Sequence, residues 1–321
     1  MVTRPPGNKL WGMTAPQHDI ILVDVLSEDA PRIADASEPF LYPDDLGAVR
    51  GDGVFETLLV RDGHACNVAR HENRFLSSAE MLQLPAPDLD RWRAASGLAV
   101  DEWNSRALDR AASDGASADG SVTHRDASMR WVYSRGREST GLPTGYIMIT
   151  PAAGAAEARE RGVRVMLAER GFELDLGNRA PWALIGAKTL SYAANMAALR
   201  YAKEHGFDDV IFTSSEGNLL EGPTSTIILV RGRQLLTPNP GEGVLPGTTQ
   251  AALFDLAAEQ GWECVPAQLT PEDLRTADAV WLVSSVRIAV RVTSLDGEEL
   301  PSPGVAAEAE FGELCEQALA R

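Results

Sequence analysis

The sequence predicts a two-domain protein of mixed class, with a smaller α+β domain followed by a larger α/β domain. The chain has 321 residues, which is more than one ordinary core accommodates, and 44% of them are hydrophobic. The order of predicted elements also changes near residue 151, from strands and helices in separate runs to strands that alternate with helices. We therefore expect residues 1–150 to form the first domain, 151–160 a linker and 161–321 the second domain.

Alternating apolar residues and turn residues define the elements predicted in the first domain. Residues 1–17 are polar and interrupted by Pro and Gly, which indicates a loose tail. The turn at 61–64 joins two strands into a hairpin, and residues 114–121 are small and polar, as in an exposed loop. The predicted strands are 18–25, 53–60, 65–68, 129–134 and 146–150, and the predicted helices are 69–84 and 89–112.

The second domain is predicted from strands that alternate with helices. Gly206 and Gly261 stand where C-terminal helix caps are expected, since glycine adopts the left-handed conformation without strain. One helix therefore follows Lys188 and ends at Gly206, and a second spans 247–261. The predicted strands are 163–168, 209–213, 226–230 and 279–284.

Composition argues against several classes of partner. The formal net charge of −17 makes nucleic acid and anionic membrane poor partners, because both repel an acidic surface. Cys66, Cys264 and Cys315 are scattered, without the paired spacing of a disulfide framework or a metal site. The N-terminus lacks the apolar stretch of a secretory signal, and no run approaches the ~20 apolar residues of a membrane helix. We therefore expect a cytoplasmic protein without a metal ion.

Lys188 is the first candidate for chemistry, because it follows the apolar stretch 183–187 and is predicted to open a helix. An apolar setting lowers the pKa of a lysine, since the charged form loses solvation. A partly neutral amine can attack an aldehyde and later accept a proton. On its own, such a lysine is more often a solvated side chain at a helix end.

Glu221 is the second candidate, in a segment where Gly222 and Pro223 form a turn that leads into a predicted strand. A carboxylate in such a turn is usually exposed. The alternative is a buried carboxylate that pairs with the cationic nitrogen of a cofactor ring.

The third candidate is the segment 245–250, a Pro-Gly turn in which Thr248 and Thr249 lead into the predicted helix. Free N–H groups at a helix N-terminus bind anions, with help from the helix dipole and neighbouring hydroxyls. The plainer alternative is that a threonine only caps the helix.

Arg74 is the fourth candidate and ends the run His71-Glu72-Asn73-Arg74 on the predicted helix 69–84. Arginine binds phosphate with two N–H groups at once, which lysine cannot do. On base rates alone, an arginine on an amphipathic helix is a surface residue.

The four candidates together match the needs of one cofactor. Aldehyde chemistry requires a lysine, a phosphate is held by arginine and a helix N-terminus, and an electron-withdrawing pyridine ring is kept protonated by a carboxylate. From about Gly51 to Gly297 the sequence resembles the class IV aminotransferase superfamily, the fold-type IV pyridoxal 5′-phosphate (PLP) enzymes. The motifs that carry the resemblance are Gly51-Asp52-Gly53-Val54-Phe55-Glu56-Thr57, His71-x-x-Arg74, Lys188, Leu220-Glu221-Gly222 with Ser225, and Leu245-Pro246-Gly247-Thr248-Thr249.

This resemblance implies a two-domain α/β and α+β fold of the D-amino acid aminotransferase-like type. It also implies a homodimer, with PLP between the domains and near the partner subunit. Lys188 is then the Schiff-base lysine, Glu221 the partner of the ring nitrogen and Arg74 a phosphate ligand. The other cofactor-binding residues that the resemblance implies are Tyr192, Thr248, Thr249 and Ser285.

Within the superfamily, the segments 188–199 and 283–287 resemble those of 4-amino-4-deoxychorismate lyases. Thr57 falls where lyases carry a hydroxyl that delivers a proton to the leaving enolpyruvyl group, whereas branched-chain aminotransferases tend to have glycine there. The turn 134–136 is shared with D-amino acid aminotransferases. Their Arg-x-His substrate clamp is absent or rebuilt here, because the sequence reads Arg137-Glu138-Ser139.

The resemblance thus predicts a lyase that converts 4-amino-4-deoxychorismate to 4-aminobenzoate and pyruvate, a step of folate-precursor synthesis. Lys188, once displaced by the substrate amine, is expected to remove the proton from the amine-bearing carbon, and Thr57 to protonate the leaving group. Arg137 and Arg287 are candidates for the substrate carboxylates, with structural ion pairs as an equal alternative.

Two other functions fit the same motifs. An aminotransferase that acts on D-amino or branched-chain amino acids with a 2-oxo acid acceptor shares the first chemical steps with the lyase. A non-catalytic PLP-binding relative is the third reading, and the presence of Lys188, Glu221 and Arg74 argues against it.

Overall fold

The computed structural model describes residues 20–113, 126–241 and 243–320, whose strands form a six-stranded and an eight-stranded sheet. The predicted tail at 1–17 and the predicted loop at 114–121 lie outside the described residues.

The first sheet is antiparallel throughout, in the order β2-β1-β6-β5-β3-β4. Its long central strands pair over their full length, which makes this half of the molecule a rigid platform. The strands are β1 Ile21–Asp24, β2 Arg32–Ala34, β3 Gly53–Arg61, β4 His64–Ala65, β5 Ala127–Ser134 and β6 Thr144–Pro151, and the helices beside them are α1 Leu46–Arg50, α2 Val68–Met81 and α3 Leu89–Ser113.

The two faces of strand β3 serve different purposes. Val54 and Leu58 are fully buried in the core that α2 and α3 cover, where the Phe75 and Trp92 rings lie 4.8 Å apart. Phe55 and Thr57 stand on the opposite face, because successive side chains of a strand alternate. Both are half-buried, and this second face looks towards the larger half of the chain.

The second sheet has the order β11-β10-β9-β12-β13-β7-β8, with β14 paired to β13. Strand pairs β10·β11, β13·β7 and β7·β8 are parallel and the remaining pairs are antiparallel. The strands are β7 Val163–Glu169, β8 Asp209–Thr213, β9 Thr226–Arg231, β10 Gln234–Pro238, β11 Glu263–Ala267, β12 Ala279–Ser284, β13 Ile288–Leu295 and β14 Glu298–Glu299. The helices are α4 Ala155–Arg161, α5 Leu176–Arg179, α6 Ala193–Glu204, α7 Thr248–Glu259, α8 Pro271–Thr276 and α9 Val305–Leu319, with a 3-10 turn at Pro181–Ala183.

Apolar layers cover both faces of this sheet. Leu253 of α7 and Phe311 of α9 lie in the cluster on one face, and the Phe311 ring stacks 4.6 Å from Trp281 of β12. Leu274 of α8 lies in the cluster on the other face. Burial on both faces explains the nearly continuous apolar runs of β9 and β12, as expected for a sheet enclosed between helices.

The structure corrects two sequence predictions and adds a helix at the predicted linker. The strand predicted at 65–68 is only the short β4, because Val68 already begins helix α2. The helix predicted to open at Lys188 begins five residues later, at Ala193. The linker predicted at 151–160 contains most of helix α4, and the placement of the domain boundary there stays a prediction.

Two further observations concern only the described residues. None of their helices combines the length and the apolar character needed to cross a bilayer. Their His, Cys, Asp and Glu side chains also form no group of three or more that could hold a metal ion.

Candidate active site

Lys188 is held by its backbone against the first half of the chain. Its carbonyl accepts a hydrogen bond from the N–H of Phe55 at 3.0 Å, and the N–H of Leu190 donates to the Gly53 carbonyl at 2.8 Å. The N–H of Lys188 itself donates to the hydroxyl of Ser78 on α2 at 3.1 Å. The lysine therefore lies on an extended segment fastened to both β3 and α2.

The Lys188 amine lies among aromatic rings. Its Nζ is 4.5 Å from the centre of the Phe55 ring and 6.0 Å from that of Tyr192, and the two rings meet edge to face. Loss of solvation, helped by the positive charge of Arg74, lowers the pKa of Lys188 to about 8. A substantial fraction of the amine is therefore neutral near physiological pH and able to act as nucleophile or base.

Glu221 is placed by the backbone that leaves strand β8. The N–H of Phe212 donates to the Glu221 carbonyl at 2.9 Å, and the N–H of Leu245 donates to Glu221 Oε2 at 3.2 Å. Burial raises the pKa of the Glu221 carboxyl to about 7, against the opposing effects of the Leu245 N–H and the Lys188 charge. Such a carboxyl becomes firmly ionised once a cationic group lies beside it.

Tyr192 stabilises the turn that follows Glu221. Its hydroxyl donates to the Pro223 carbonyl, which also accepts a hydrogen bond from Asn195 Nδ2 at 2.8 Å. Burial raises the pKa of Tyr192 to about 12, so the phenol stays protonated. The predicted proximity of Tyr192 to the cofactor stays a prediction, and its ring lies against Phe55 beside the reactive lysine.

The N-terminus of helix α7 has the features of an anion site. None of the described side chains caps it, so its first N–H groups have no capping partner in that part of the chain. The hydroxyl of Thr249 is buried and has no hydrogen-bond partner in the described part of the chain. A Cβ atom at Gly247 would lie 2.4 Å from Thr226 Oγ1, so only glycine allows this close approach. Buried donors without partners are rare in proteins and indicate a ligand that accepts from them.

A buried ion network lies beside this helix. The Glu56 carboxylate is fully buried and accepts hydrogen bonds from Arg74 Nε, Arg74 Nη2 and His71 Nδ1, each at 2.7 Å. Burial alone would raise the pKa of Glu56, but the Arg74 charge and the hydrogen bonds from Arg74 and His71 hold it well below its usual range. Arg74 Nη1 donates to the Pro246 carbonyl at 2.8 Å, which ties the network to the loop before α7.

His71 connects the network to two hydroxyls. Its Nε2 lies 3.3 Å from Thr248 Oγ1 and 3.3 Å from Ser285 Oγ, and these hydroxyl oxygens are 3.5 Å apart. Burial lowers the pKa of His71 although Glu56 opposes this shift. Since Glu56 is ionised, the proton of the neutral ring lies on Nδ1, and Nε2 accepts from one of the hydroxyls.

The predicted carboxylate ligands Arg137 and Arg287 are engaged in ion pairs. Arg137 Nε donates to Asp44 at 3.1 Å, and its guanidinium lies 3.9 Å from the centre of the Tyr42 ring. Arg287 Nη1 donates at 2.7 Å to Asp209, which is almost fully buried. A substrate-binding role of either arginine requires that its guanidinium exchange this partner for the substrate.

Sequence reasoning missed the roles of Glu56, His71, Phe55 and Ser78. The sequence did contain a signal for Glu56, because strand alternation places it between Val54 and Leu58 on the buried face of β3. A carboxylate at a core position is rare unless it is paired. No local pattern in the sequence indicated the contact of Phe55 with Lys188, because the two residues are far apart in the chain.

The residues present fit PLP. The free donors of α7, the Thr249 hydroxyl without a partner and the remaining N–H groups of Arg74 suit a phosphate. A desolvated amine at Lys188 suits an aldehyde, and a carboxyl at Glu221 suits a protonated ring nitrogen.

Comparison with known proteins also points to a PLP-dependent enzyme. Residues 53–295 match the family described as amino-transferase class IV, and the chain belongs to that family. It is similar, with 45% identity over 289 residues, to a protein from Mycobacterium tuberculosis named bifunctional aminodeoxychorismate lyase / D-amino acid transaminase; the match covers 88% of this chain and 94% of the relative.

Solved structures show the same fold. The PLP-bound form of a hypothetical aminotransferase from Mycobacterium tuberculosis superposes with a TM-score of 0.84 at 42% identity, over 94% of this chain and 98% of that one. The fold IV transaminase CpuTA1 from Curtobacterium pusillum also gives 0.84, at 38% identity, over 94% and 99%. The chain is therefore a PLP-dependent enzyme of the fold-type IV class, as the sequence predicts.

Proposed function

We propose that the enzyme is a 4-amino-4-deoxychorismate lyase, which releases 4-aminobenzoate and pyruvate for folate-precursor synthesis in the cytoplasm. The 45% identity to a relative named for this lyase activity and for D-amino acid transamination supports the proposal. The site itself supports it through one position, Thr57.

The Thr57 hydroxyl is the observation that favours a lyase. Thr57 is two residues from Phe55 on the same face of β3, and the Phe55 ring contacts the Lys188 amine. Cleavage of the enolpyruvyl C–O bond requires a proton for the departing oxygen, whereas amino-group transfer does not. A hydroxyl on this face, next to the reactive lysine, is a suitable donor.

The roles of the other residues follow from their surroundings. When bound, PLP supplies an aldehyde for the substrate amine and a ring that withdraws electrons. Lys188, partly neutral because of its lowered pKa, accepts the proton from the amine-bearing carbon. Glu221 holds the proton of the ring nitrogen, and Thr57 protonates the leaving group. Loss of that carbon-bound proton and of the enolpyruvyl group leaves an aromatic ring, and the enol product becomes pyruvate.

The phosphate end keeps the cofactor in place during this sequence. Arg74 is oriented by its two hydrogen bonds to Glu56, and Thr248 and Ser285 lie beside His71. We infer that these residues, with Thr249, bind the phosphate. Arg137 and Arg287 stay the sequence-predicted candidates for the substrate carboxylates, with their ion pairs to Asp44 and Asp209 as the alternative role.

An aminotransferase is the second candidate, because the similar protein from Mycobacterium tuberculosis is named for both activities. Its donor would be a D-amino acid or a branched-chain amino acid, and its acceptor a 2-oxo acid. Lys188 and Glu221 would act in the same way, whereas Thr57 would have no proton to deliver. Thr57 therefore separates the two reactions.

The deciding experiment supplies purified holoenzyme with aminodeoxychorismate, and separately with D-alanine or L-leucine plus 2-oxoglutarate. We expect release of 4-aminobenzoate together with pyruvate. Thr57→Val should lower this rate by about 10²- to 10⁴-fold, the usual contribution of a general acid, and Thr57→Ser should restore much of it. Rapid transamination with no 4-aminobenzoate would refute the lyase assignment.

A homodimer is part of the proposal. Tyr42 and Leu142 flank Arg137 and are 56% and 65% exposed, and we propose that this pair of apolar side chains forms part of the interface between subunits. We expect light scattering to give twice the mass of one chain, and a monomeric mass would contradict this part.

A further inference from the structure

We propose that Asp209, a buried carboxylate of β8 that no sequence motif singled out, positions Glu221 by way of Arg287. Arg287 is then a positioning residue and not a ligand of the substrate carboxylate. The inference deepens the proposed function and rests on it only in taking Glu221 as the partner of the cofactor ring nitrogen. It applies equally to a lyase and to an aminotransferase.

The burial of Asp209 requires a partner for its charge. Its side chain is 1% exposed, and carboxylates are almost never buried to this extent unless they are paired. One oxygen accepts a hydrogen bond from the N–H of Val210 at 2.8 Å, and the other accepts from Nη1 of Arg287 at 2.7 Å. Both oxygens are therefore engaged within the protein, and the carboxylate fixes the guanidinium.

The other end of the Arg287 guanidinium reaches the turn that follows Glu221. Its Nη2 donates to the hydroxyl of Thr224 at 3.2 Å, while Nη1 is held by Asp209. A guanidinium presents its N–H groups in a rigid planar fork, so an anchor at one nitrogen sets the direction of the next. Asp209 thus holds Thr224 in place through Arg287.

The turn between Glu221 and Thr224 is too tight to deform independently. The N–H of Gly222 donates to the Ser225 carbonyl at 2.9 Å, and a Cβ atom at Gly222 would collide with the Ser225 hydroxyl. The Glu221 carbonyl accepts from the N–H of Phe212 on β8 at 2.9 Å. A displacement of Thr224 is therefore passed along the turn to Glu221.

A second anchor holds the same turn from the segment that leads into α6. The Tyr192 hydroxyl and Asn195 Nδ2 both donate to the Pro223 carbonyl. Burial is the main cause of the raised pKa of Tyr192, and the charge of Asp209 adds to it, so the two anchors lie near each other. The turn is thus clamped from two sides, and Asp209 provides one of them.

Backbone strain next to Arg287 points the same way. Ile288 has a φ of +64°, a conformation that β-branched residues rarely adopt. Such strain persists only where the surroundings impose it, and Ile288 is buried and pairs with Ser284 across β12 and β13. The turn that carries Arg287 is therefore held in one shape. A swing of the guanidinium towards a substrate carboxylate would also leave Asp209 buried without its counterion.

The test reads the cofactor ring nitrogen in the holoenzyme, which needs no turnover. With PLP labelled with ¹⁵N in its ring, NMR gives the pH at which this nitrogen loses its proton. In Asp209→Asn the proton should be lost at a pH about one unit lower than in the parent, because a displaced carboxylate stabilises it less. Thr224→Val removes only the hydroxyl that Arg287 reaches and should act in the same direction, and Thr224→Ser should restore the parent value.

Asp208→Asn is the matched control. Asp208 is the neighbour of Asp209 in the chain, but its ion pairs are with Arg161 and Arg164. This variant should leave the ring nitrogen as it is in the parent. Thermal unfolding of the apo proteins checks folding, and Thr224 is exposed, so Thr224→Val keeps the test decisive if Asp209→Asn is unstable.

Kinetics separate positioning from substrate binding. In Arg287→Met, kcat for the substrate that the parent converts should fall roughly 10- to 100-fold, the scale expected when a reacting group is slightly misplaced, with KM unchanged. A ligand of the substrate carboxylate would instead raise KM and leave the ring nitrogen unaffected.

The outcomes distinguish this inference from the proposed lyase function. Earlier loss of the ring proton in Asp209→Asn and Thr224→Val, in a parent that releases no 4-aminobenzoate, would overturn the lyase and leave the role of Asp209 intact. An unchanged ring nitrogen in Thr224→Val or in folded Asp209→Asn, or an Arg287→Met variant that only raises KM, would overturn the inference even with full lyase activity. An unchanged ring nitrogen in Glu221→Gln would overturn the role of Glu221 itself, and the inference with it.

Discussion

The candidate site has two ends that differ in how charge is compensated. One is the proposed phosphate end around Glu56, and the other is the proposed substrate end around Lys188. At the phosphate end, the buried Glu56 carboxylate is matched by Arg74 and by His71, each at 2.7 Å. At the substrate end, Arg130, which pairs with Thr57 across β3 and β5, has no ion-pair or hydrogen-bond partner in the described residues. The Lys188 amine there lies 4.5 Å from the centre of the Phe55 ring and 6.0 Å from that of Tyr192.

This difference follows from how deeply each charge is buried. A buried ion must be compensated when the protein folds, because an unpaired buried charge is strongly destabilising. The Glu56 network at this end is therefore charge-compensated in the folded protein, whereas the Thr249 hydroxyl and the first N–H groups of α7 have no side-chain partner among the described residues. An exposed cation costs little, so Arg130 at the substrate end can stay uncompensated in the folded protein.

The largest expected effect comes from removing the charge at the phosphate end. In Glu56→Gln, the nearly buried side chain of Arg74 loses its counterion. We expect the free energy of unfolding to fall by about 3–5 kcal/mol. Because the folded-state pKa of Glu56 lies below its ordinary 4.5, this contribution is complete above that pH and declines only on further acidification. Denaturant unfolding of the apo protein provides the measurement.

The matched control is Asp255→Asn. Asp255 pairs with Arg70, which also lies on α2, but both side chains are substantially exposed. Its loss should cost at most about 1 kcal/mol. Equal losses for the two variants would remove the distinction between a compensated buried end and ordinary surface ion pairs.

Glu221→Gln is expected to have the next largest effect, on turnover rather than on folding. A neutral amide gives no electrostatic support to a protonated ring nitrogen, and kcat should fall by about 10²- to 10³-fold, as on removal of one stabilising group at a reacting centre. Stopped-flow measurement of the first proton transfer checks it. Undiminished kcat would show that Glu221 does not act on the cofactor ring.

Thr249→Val should have a smaller effect, confined to cofactor affinity. The variant loses one hydroxyl that has no protein partner in the described chain, so PLP should bind roughly 10- to 100-fold more weakly. The apo protein should be no less stable than the parent, since a buried unsatisfied group is removed. A destabilised apo protein with normal PLP affinity would show that Thr249 is structural.

The smallest expected effect is a displaced pH profile for cofactor capture. Only the neutral amine attacks the aldehyde, so the rate at which apo protein takes up PLP should rise with pH and level off above about 8, the pKa of Lys188. A lysine with its usual pKa of 10.5 would give a rate that still rises tenfold per pH unit beyond that point. The gain of yellow colour after mixing reports this rate.

Local patterns in the sequence predicted the strands and helices with the clearest periodicity and pointed to the motif residues. The alternation of 53–60 predicts β3 to within one residue, and Gly261 marks the end of α7. Lys188 and Glu221 were predicted as site residues because the resemblance to PLP enzymes rests on short motifs that contain them. Each of these signals lies within a few neighbouring residues.

What the sequence did not reveal depends on contacts between distant segments. The pairing of Arg130 with Thr57 follows from strand register, and the partners of Arg137 and Arg287 lie far away in the chain. The start of the helix after Lys188 was wrong because that segment is held on β3 by tertiary hydrogen bonds. Local helix propensity carries no information about tertiary hydrogen bonds that compete with helix formation.

The central claim is that the amine of Lys188 carries the cofactor. The chain has three lysines, Lys9, Lys188 and Lys203, so the claim has few alternatives. Borohydride reduction of the holoprotein, followed by peptide mass spectrometry, should place a pyridoxyl group on Lys188, in the parent and in Lys203→Ala alike, and on no peptide of Lys188→Ala. A pyridoxyl group on another lysine of the parent, or full activity and yellow colour in Lys188→Ala, would contradict the account.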